Sequence, residues 1–229
     1  MRLPKPTLVF DLDGTLVDSA PDLVATLNAI LSEEGYRPVS DSVGRGYIGQ
    51  GAKVMLTRGL EANGAAADPV RIDALYHRFI DHYVGRIAEE SRPYAGVEET
   101  LEAAAAEGWN LIVLTNKLEH LAFRLLDAVD LTRRFTFIAG QDTFAAPKPD
   151  PETFRRAVLA GGGTLGRAVM IGDSRTDIDT AKNADAPVVA VTFGYTDEPV
   201  HEMAPDALVD SFAEIPAAAA RVLTDRLSR

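Results

Sequence analysis

The chain has 229 residues, enough for one large domain or for a core that carries a smaller insert. It contains no cysteine, which excludes disulfides, cysteine–zinc sites and thiol nucleophiles, and its formal net charge of −11 works against nucleic acid and anionic membranes as partners. With 46% hydrophobic and 25% charged residues, no secretory signal pattern and no apolar stretch long enough to span a bilayer, the expectation is a globular protein of the cytoplasm.

Residues 7–10 predict a buried strand and 21–34 an amphipathic helix closed by Gly35. From about 40 to 92 there is no strand pattern, only helical patterning over 53–60 and 70–87. Glycines crowd the start of that interval (Gly44, Gly46, Gly49, Gly51), and Ser91-Arg92-Pro93 marks its exit. The β/α rhythm then resumes, with helices at 96–107, 118–128, 152–159 and 176–184 and strands at 109–114, 135–139, 168–171 and 188–191. A short strand at 207–209 and a helix at 211–223 close the chain. Wholly apolar strands alternating with helices predict an α/β fold, a parallel sheet covered on both faces. The strand-free interval reads as a separate all-helical insert or as extra helices of the main domain.

Chemistry concentrates where strands are predicted to end. Asp11 and Asp13 follow the first strand at i and i+2, so an extended backbone points both the same way at the carboxyl edge of the sheet. An Asp-rich turn completed by Gly14 is the structural alternative. Asp173 and Asp177 follow the 168–171 strand, one helical turn apart, and also suit a helix N-cap with an acid in its first turn. Taken together, four carboxylates at one edge repel one another and call for a cation, and oxygen-only ligands favour a hard ion such as Mg²⁺. Thr115-Asn116-Lys117 follows the 109–114 strand, where a hydroxyl and free helix amides suit an anion, although a Thr cap fits equally well. Lys148 lies between Pro147 and Pro149, whose rings restrict the backbone on both sides.

These stretches, in this order, resemble the four motifs of the haloacid dehalogenase superfamily: Asp11-x-Asp13-Gly-Thr, Thr115, Lys148 and Gly-Asp173-Ser-x-x-Asp177. The resemblance implies a Rossmann-like core over residues 1–18 and 93–229 with a helical cap over 19–92. It also implies site roles. Asp11 is the nucleophile that takes a phosphoryl group, and Asp13 is the acid and base. Thr115, Asn116 and Lys148 hold the phosphoryl oxygens. Mg²⁺ is held by Asp11, the Asp13 carbonyl and Asp173, with Asp177 beside it. Dehalogenases and phosphonate-cleaving members of the superfamily lack an acid at the second position, so Asp13 points away from both.

A finer resemblance, carried by residues 9–19, 45–52 and Thr115-Asn116-Lys117, is to phosphoglycolate phosphatases, with departures at Gln50 and Lys53. The expected activity is Mg²⁺-dependent hydrolysis of a small phosphate monoester, 2-phosphoglycolate first. A sugar phosphomutase, a phosphatase for another ester or pyrophosphate, and a binding protein with an unused site stay open. Arg45 is the expected reader of the substrate carboxylate, its alternative being a solvated cap residue, and Gly49 is a second expected specificity residue of the cap, in the 44–51 loop that dips toward the core on closing. Tyr76, Phe79 and Tyr83 recur at helical spacing and read as cap core. His77, His82, His120 and His201 show no metal-ligand spacing, and oligomeric state is not legible.

Overall fold

The computed structural model describes residues 5–196 and 198–228, so the opening residues, read above as carrying no secretory signal, lie partly outside the described set. Strand β1 (Thr7–Phe10) leads into the two-residue strand β2 (Val17–Asp18) and helix α1 (Ala20–Glu33). Helices α2 (Asp41–Arg45), α3 (Ala52–Glu61) and α4 (Pro69–Val84) follow, and β3 (Arg92–Pro93) closes this interval by pairing antiparallel with β2. The chain then runs through α5 (Val97–Ala106), β4 (Asn110–Leu114), α6 (Glu119–Ala128), β5 (Phe137–Ala139) and α7 (Pro151–Ala160). It ends with β6 (Ala168–Gly172), α8 (Arg175–Asn183), β7 (Val188–Val191), β8 (Ala207–Val209) and α9 (Ile215–Leu227).

Six strands form one parallel sheet in the order β5-β4-β1-β6-β7-β8. Side chains alternate across it. Leu8 and Phe10 join Leu111, Val113, Val169 and Ile171 in the core on one face, whereas Val9 joins Ile112, Leu114 and Met170 on the other. Burial of both faces is why these strands carry no polar alternation. The chain leaves β1 toward β4 and β5, then returns to the opposite side for β6. The carboxyl ends of β1, β4 and β6 therefore bound the crevice where open α/β sheets bind ligands.

Two elements escape the sequence reading. The β2–β3 ribbon is too short to show periodicity, and Pro93 argues against a strand on propensity. It sets the two chain crossings between the helical interval and the sheet side by side. Helix α2 hides among glycines, but Ser40 caps it by accepting the Val43 N–H, and Gly44 packs where a Cβ would strike Val24. The other helices start within a residue of the expected positions except the last, expected from 211, which begins at Ile215 after a separate turn at Phe212–Glu214. Asp68 and Asp150 cap α4 and α7 ahead of a proline, and Ser174 with Asp177 forms a reciprocal capping box on α8.

Candidate active site

Asp11, Asp173 and Asp177 meet in one buried group, with one carboxylate oxygen of each lying within 4.8 Å of the others. Asp11 leaves the end of β1 and Asp173 the end of β6, adjacent strands in the sheet, and Asp177 rises one turn into α8. The backbone is shaped to allow this crowding. Gly14, with φ of +86°, passes so close to the Asp173 carboxylate that a Cβ there would strike it, and a Cβ on Gly172 would strike Asp177.

Lys148 projects into the group. Its ammonium lies 2.9 Å from Asp11 Oδ1 and 2.6 Å from Asp177 Oδ1, and only 3% of the residue is exposed. The other Asp177 oxygen accepts from the Ser174 N–H and hydroxyl. Asp173 accepts from the Thr15 hydroxyl at 2.9 Å and from the Tyr195 N–H at 2.9 Å. The Asp11 carboxylate takes the Leu12 N–H at 2.7 Å.

Three carboxylates face one ammonium here. Burial pushes the Asp11 carboxyl well above its ordinary range, Lys148 opposes that shift, and Asp177 and Asp173 reinforce it. Asp173 moves the same way, through burial and then Asp177. Excess buried negative charge on an all-oxygen donor set suits a hard divalent cation, so the residues present fit such an ion.

Asp13 stands apart from the group and faces the cleft. Its carboxylate accepts from the Ser19 hydroxyl, and the Lys117 ammonium sits 3.0 Å from each of its oxygens. Lys117 was noticed in the sequence only as part of a motif, and its pairing with a residue 104 positions away leaves no local signal. Thr115 is buried at the end of β4, where its hydroxyl accepts the Lys117 N–H at 3.1 Å.

The remaining expected residues are placed differently. Asn116 spends its amide on the backbone of Lys148. Its oxygen accepts the Lys148 N–H at 3.0 Å and its nitrogen donates to the Lys148 carbonyl at 3.2 Å, so the side chain orients the lysine. The same nitrogen donates to the Gly49 carbonyl at 3.3 Å, which ties the glycine loop to the sheet edge. Gly49 has φ of +107° and lines the cleft. Arg45 does not reach the cleft. It pairs with Asp18 at 3.1 Å and Asp41 at 2.9 Å, stacks over Tyr195, and borders a separate surface depression.

The cleft opens to solvent and is lined by Asp11, Asp13, Thr115, Asn116 and Lys117 from the sheet side. The helical interval contributes Leu23, Ile48, Gly49, Met55, Tyr76, Phe79, Ile80 and Tyr83. Phe79 and Tyr83 are thus both core residues of that interval and part of the cleft wall.

A family model described as haloacid dehalogenase-like hydrolase matches residues 8–191. The chain is 48% identical over 218 residues to a phosphoglycolate phosphatase of Caulobacter vibrioides, covering 95% of this chain and 92% of that one. It is 45% identical to a phosphoglycolate phosphatase of Mesorhizobium japonicum, covering 92% of each. Among solved structures, one described as a predicted phosphoglycolate phosphatase from Haemophilus somnus 129pt superposes with a TM-score of 0.87. The two are 31% identical, and the match covers 93% of this chain and 97% of that one. Matches of this extent, laid over a parallel sheet whose edge gathers Asp11, Asp173, Asp177 and Lys148, mean that the chain belongs to the haloacid dehalogenase-like hydrolases.

Proposed function

We propose that this chain is a Mg²⁺-dependent phosphatase that hydrolyses 2-phosphoglycolate in the cytoplasm through a phosphoryl group carried on Asp11. The observation that supports it most is the buried union of Asp11, Asp173 and Asp177 around Lys148, beside a cleft that Asp11 and Asp13 both line. The names of its relatives point to the substrate. Residues 1–18 and 93–229 serve as the core and 19–92 as a cap whose movement admits substrate, with the β2–β3 ribbon as the hinge.

Asp11, the Asp13 carbonyl and Asp173 would hold Mg²⁺, with Asp177 beside it, and when bound the ion offsets the negative charge of the transferring phosphoryl group. Asp11 supplies the attacking oxygen. A P–O bond forms to its carboxylate as the bond to the glycolate oxygen breaks, and Asp13 gives that oxygen its proton. In the second half Asp13 takes a proton from water, the water oxygen attacks phosphorus, and the Asp11–phosphorus bond breaks to restore the carboxylate. Lys148 lies against Asp11 and stabilises the charge on the phosphoryl oxygens, while Asn116 holds the lysine in place. The Thr115 hydroxyl remains available at the sheet edge as a donor to the same oxygens.

The test is phosphate release from a panel of phosphoglycolate, ethyl phosphate, glucose 1-phosphate, a nucleoside monophosphate and pyrophosphate. Phosphoglycolate should have the highest kcat/KM, fall to background on chelation and recover with Mg²⁺. Isomerisation of glucose 1-phosphate in place of hydrolysis, or full activity after exhaustive chelation, would overturn the reading.

A further inference from the structure

The cleft wall opposite the acid group is almost wholly apolar, built from Leu23, Ile48, Met55 and Phe79 among others. Two polar groups beside Asp13 matter most here, Lys117 on the sheet side and Tyr83 on the helical side. Among the described residues that line the cleft, Lys117 is the one cation, because Lys148 lies behind Asp11 and Arg45 is held elsewhere. The second is Tyr83, which is 1% exposed and whose hydroxyl, with the Lys117 ammonium beside it, donates to no acceptor. The Lys117 ammonium lies 4.7 Å from the centre of the Tyr83 ring. Burial pushes the Tyr83 phenol up to about 12 against the pull of Lys117, so it stays a neutral O–H donor at any working pH.

A buried hydroxyl proton without an acceptor costs on the order of 1–3 kcal/mol, so its presence on a cleft wall points to an acceptor that arrives with a ligand. The Lys117 ammonium gives hydrogen bonds to the two oxygens of Asp13 and turns its remaining side to the phenol, so the positive charge and the phenol proton lie together. An ammonium beside a neutral phenol, in apolar surroundings, suits an anionic oxygen pair. Asp13 is the residue that must face the leaving oxygen, so the group next to it contacts whatever that oxygen carries. In phosphoglycolate that is a carboxylate one carbon away.

We propose that Lys117, from the sheet edge, and Tyr83, from helix α4, form the receptor for the carboxylate of the leaving group. This rests on the phosphoglycolate reading above. The site spans the two parts of the molecule, so a substrate that bears the carboxylate draws them together, and one that lacks it leaves the Tyr83 hydroxyl proton without an acceptor.

The test compares kcat/KM for phosphoglycolate with that for ethyl phosphate, which has the same two-carbon tail without the charge. The wild-type ratio comes first. If phosphoglycolate is not preferred, the substrate reading fails before any variant is made, and this inference fails with it. Given the preference, Lys117→Met should lower the ratio by about tenfold to a hundredfold, the range for losing a charge-assisted hydrogen bond. Effects of Lys117 on Asp13 strike both esters and cancel in the ratio. Tyr83→Phe should lower the ratio by about fivefold while leaving the melting temperature little changed, since the phenol proton meets no acceptor in the free protein. It keeps the test alive if Lys117→Met fails to fold. A ratio unchanged in both folded variants, with the wild-type preference intact, would overturn the receptor and leave the phosphatase standing. A Tyr83→Phe variant that melts markedly lower would also count against it, since the hydroxyl would then have an acceptor in the free protein.

Discussion

Asp22 and Asp11 are both buried carboxylates, 0% and 4% exposed, and their surroundings differ in what they leave undone. Asp22 sits in the first turn of α1 and accepts from the Glu90 N–H, the Ser91 N–H at 2.9 Å and the Ser91 hydroxyl at 2.7 Å, with Arg86 3.9 Å away. Its charge is answered by donors from the segment leading into β3, so it binds the entry and exit of the helical interval together. Asp11 has one backbone donor and one lysine, and two further carboxylates press on it. A satisfied buried charge reads as architecture, whereas a crowded and under-compensated one stores the reactivity that a site needs.

Exchanging the two in variants breaks the comparison most sharply. Asp11→Asn should abolish turnover and leave no covalent phosphate, because a neutral amide cannot attack phosphorus, and an aluminium or beryllium fluoride mimic should no longer be trapped. The same change removes repulsion, so the metal-free variant should melt higher than the metal-free wild type. Turnover close to wild type by Asp11→Asn would remove the nucleophile from this account.

Asp22→Ala should do the reverse. It strands buried N–H and O–H donors, each lost acceptor costing about 1–3 kcal/mol, so a loss of about 3–5 kcal/mol in urea unfolding is expected. The kcat of the folded fraction should stay within a few-fold of wild type. A stability loss under about 1 kcal/mol would mean that water or a rearranged loop replaces the carboxylate, and the architectural reading of Asp22 would fall.

That contrast also explains what the sequence could reveal. Asp11, Asp13, Thr115, Asp173 and Asp177 could be placed at one sheet edge because each follows an apolar run that must end there, whereas Lys148 stood out by the prolines on either side of it. The sheet was legible for the same reason, since strands buried on both faces leave unbroken apolar segments. Asp22, by contrast, gave no signal in the sequence, because its partners lie 68 and 69 residues away. The Lys117–Asp13 pair, 104 residues apart, and the Tyr195 N–H on Asp173, 22 apart, likewise join separate segments. Asn116 was read as an anion ligand from its position, and only the fold shows its amide turned to the Lys148 backbone. Polar contacts between distant segments carry no periodicity, so they become visible only once the segments are brought together.

The third expectation uses pH to separate the crowded centre from the satisfied one. Asp11 and Asp173 have raised carboxyl values in the folded chain without metal. Between the ordinary carboxylate value and those raised values the folded state binds more protons than the unfolded one. Stability must then fall as pH rises through that window. Chelated protein should therefore melt lower at about pH 7.5 than at about pH 5.5, after ordinary carboxylates have ionised in both states. Adding Mg²⁺ should raise the melting temperature and flatten the slope, because the ion binds the folded, ionised cluster. An identical slope with and without Mg²⁺ would show that the cluster does not titrate as a unit with the ion.

The smallest effect is expected at Arg45, where an exposed group imitates the features of a site. Arg45 pairs with Asp18 and Asp41, its side chain is 31% exposed, and it lies over the Tyr195 ring. Tyr195 in turn donates its hydroxyl to Asp18 at 2.7 Å and its N–H to Asp173. Arg45 thus touches the β2–β3 ribbon and, through one residue, the acid group, without lining the cleft. Exposed pairs of this kind contribute about 0–1 kcal/mol, so Arg45→Ala should change the melting temperature little. If the arginine steadies the hinge, kcat/KM for phosphoglycolate and for ethyl phosphate should drop together by no more than a few-fold. If it reads the carboxylate, phosphoglycolate alone should suffer, by tenfold or more. Measured beside Lys117→Met, the two ratios decide which cation meets the substrate. A change confined to Arg45 would return the carboxylate to the helical interval's surface and empty the cleft's lysine of its proposed role.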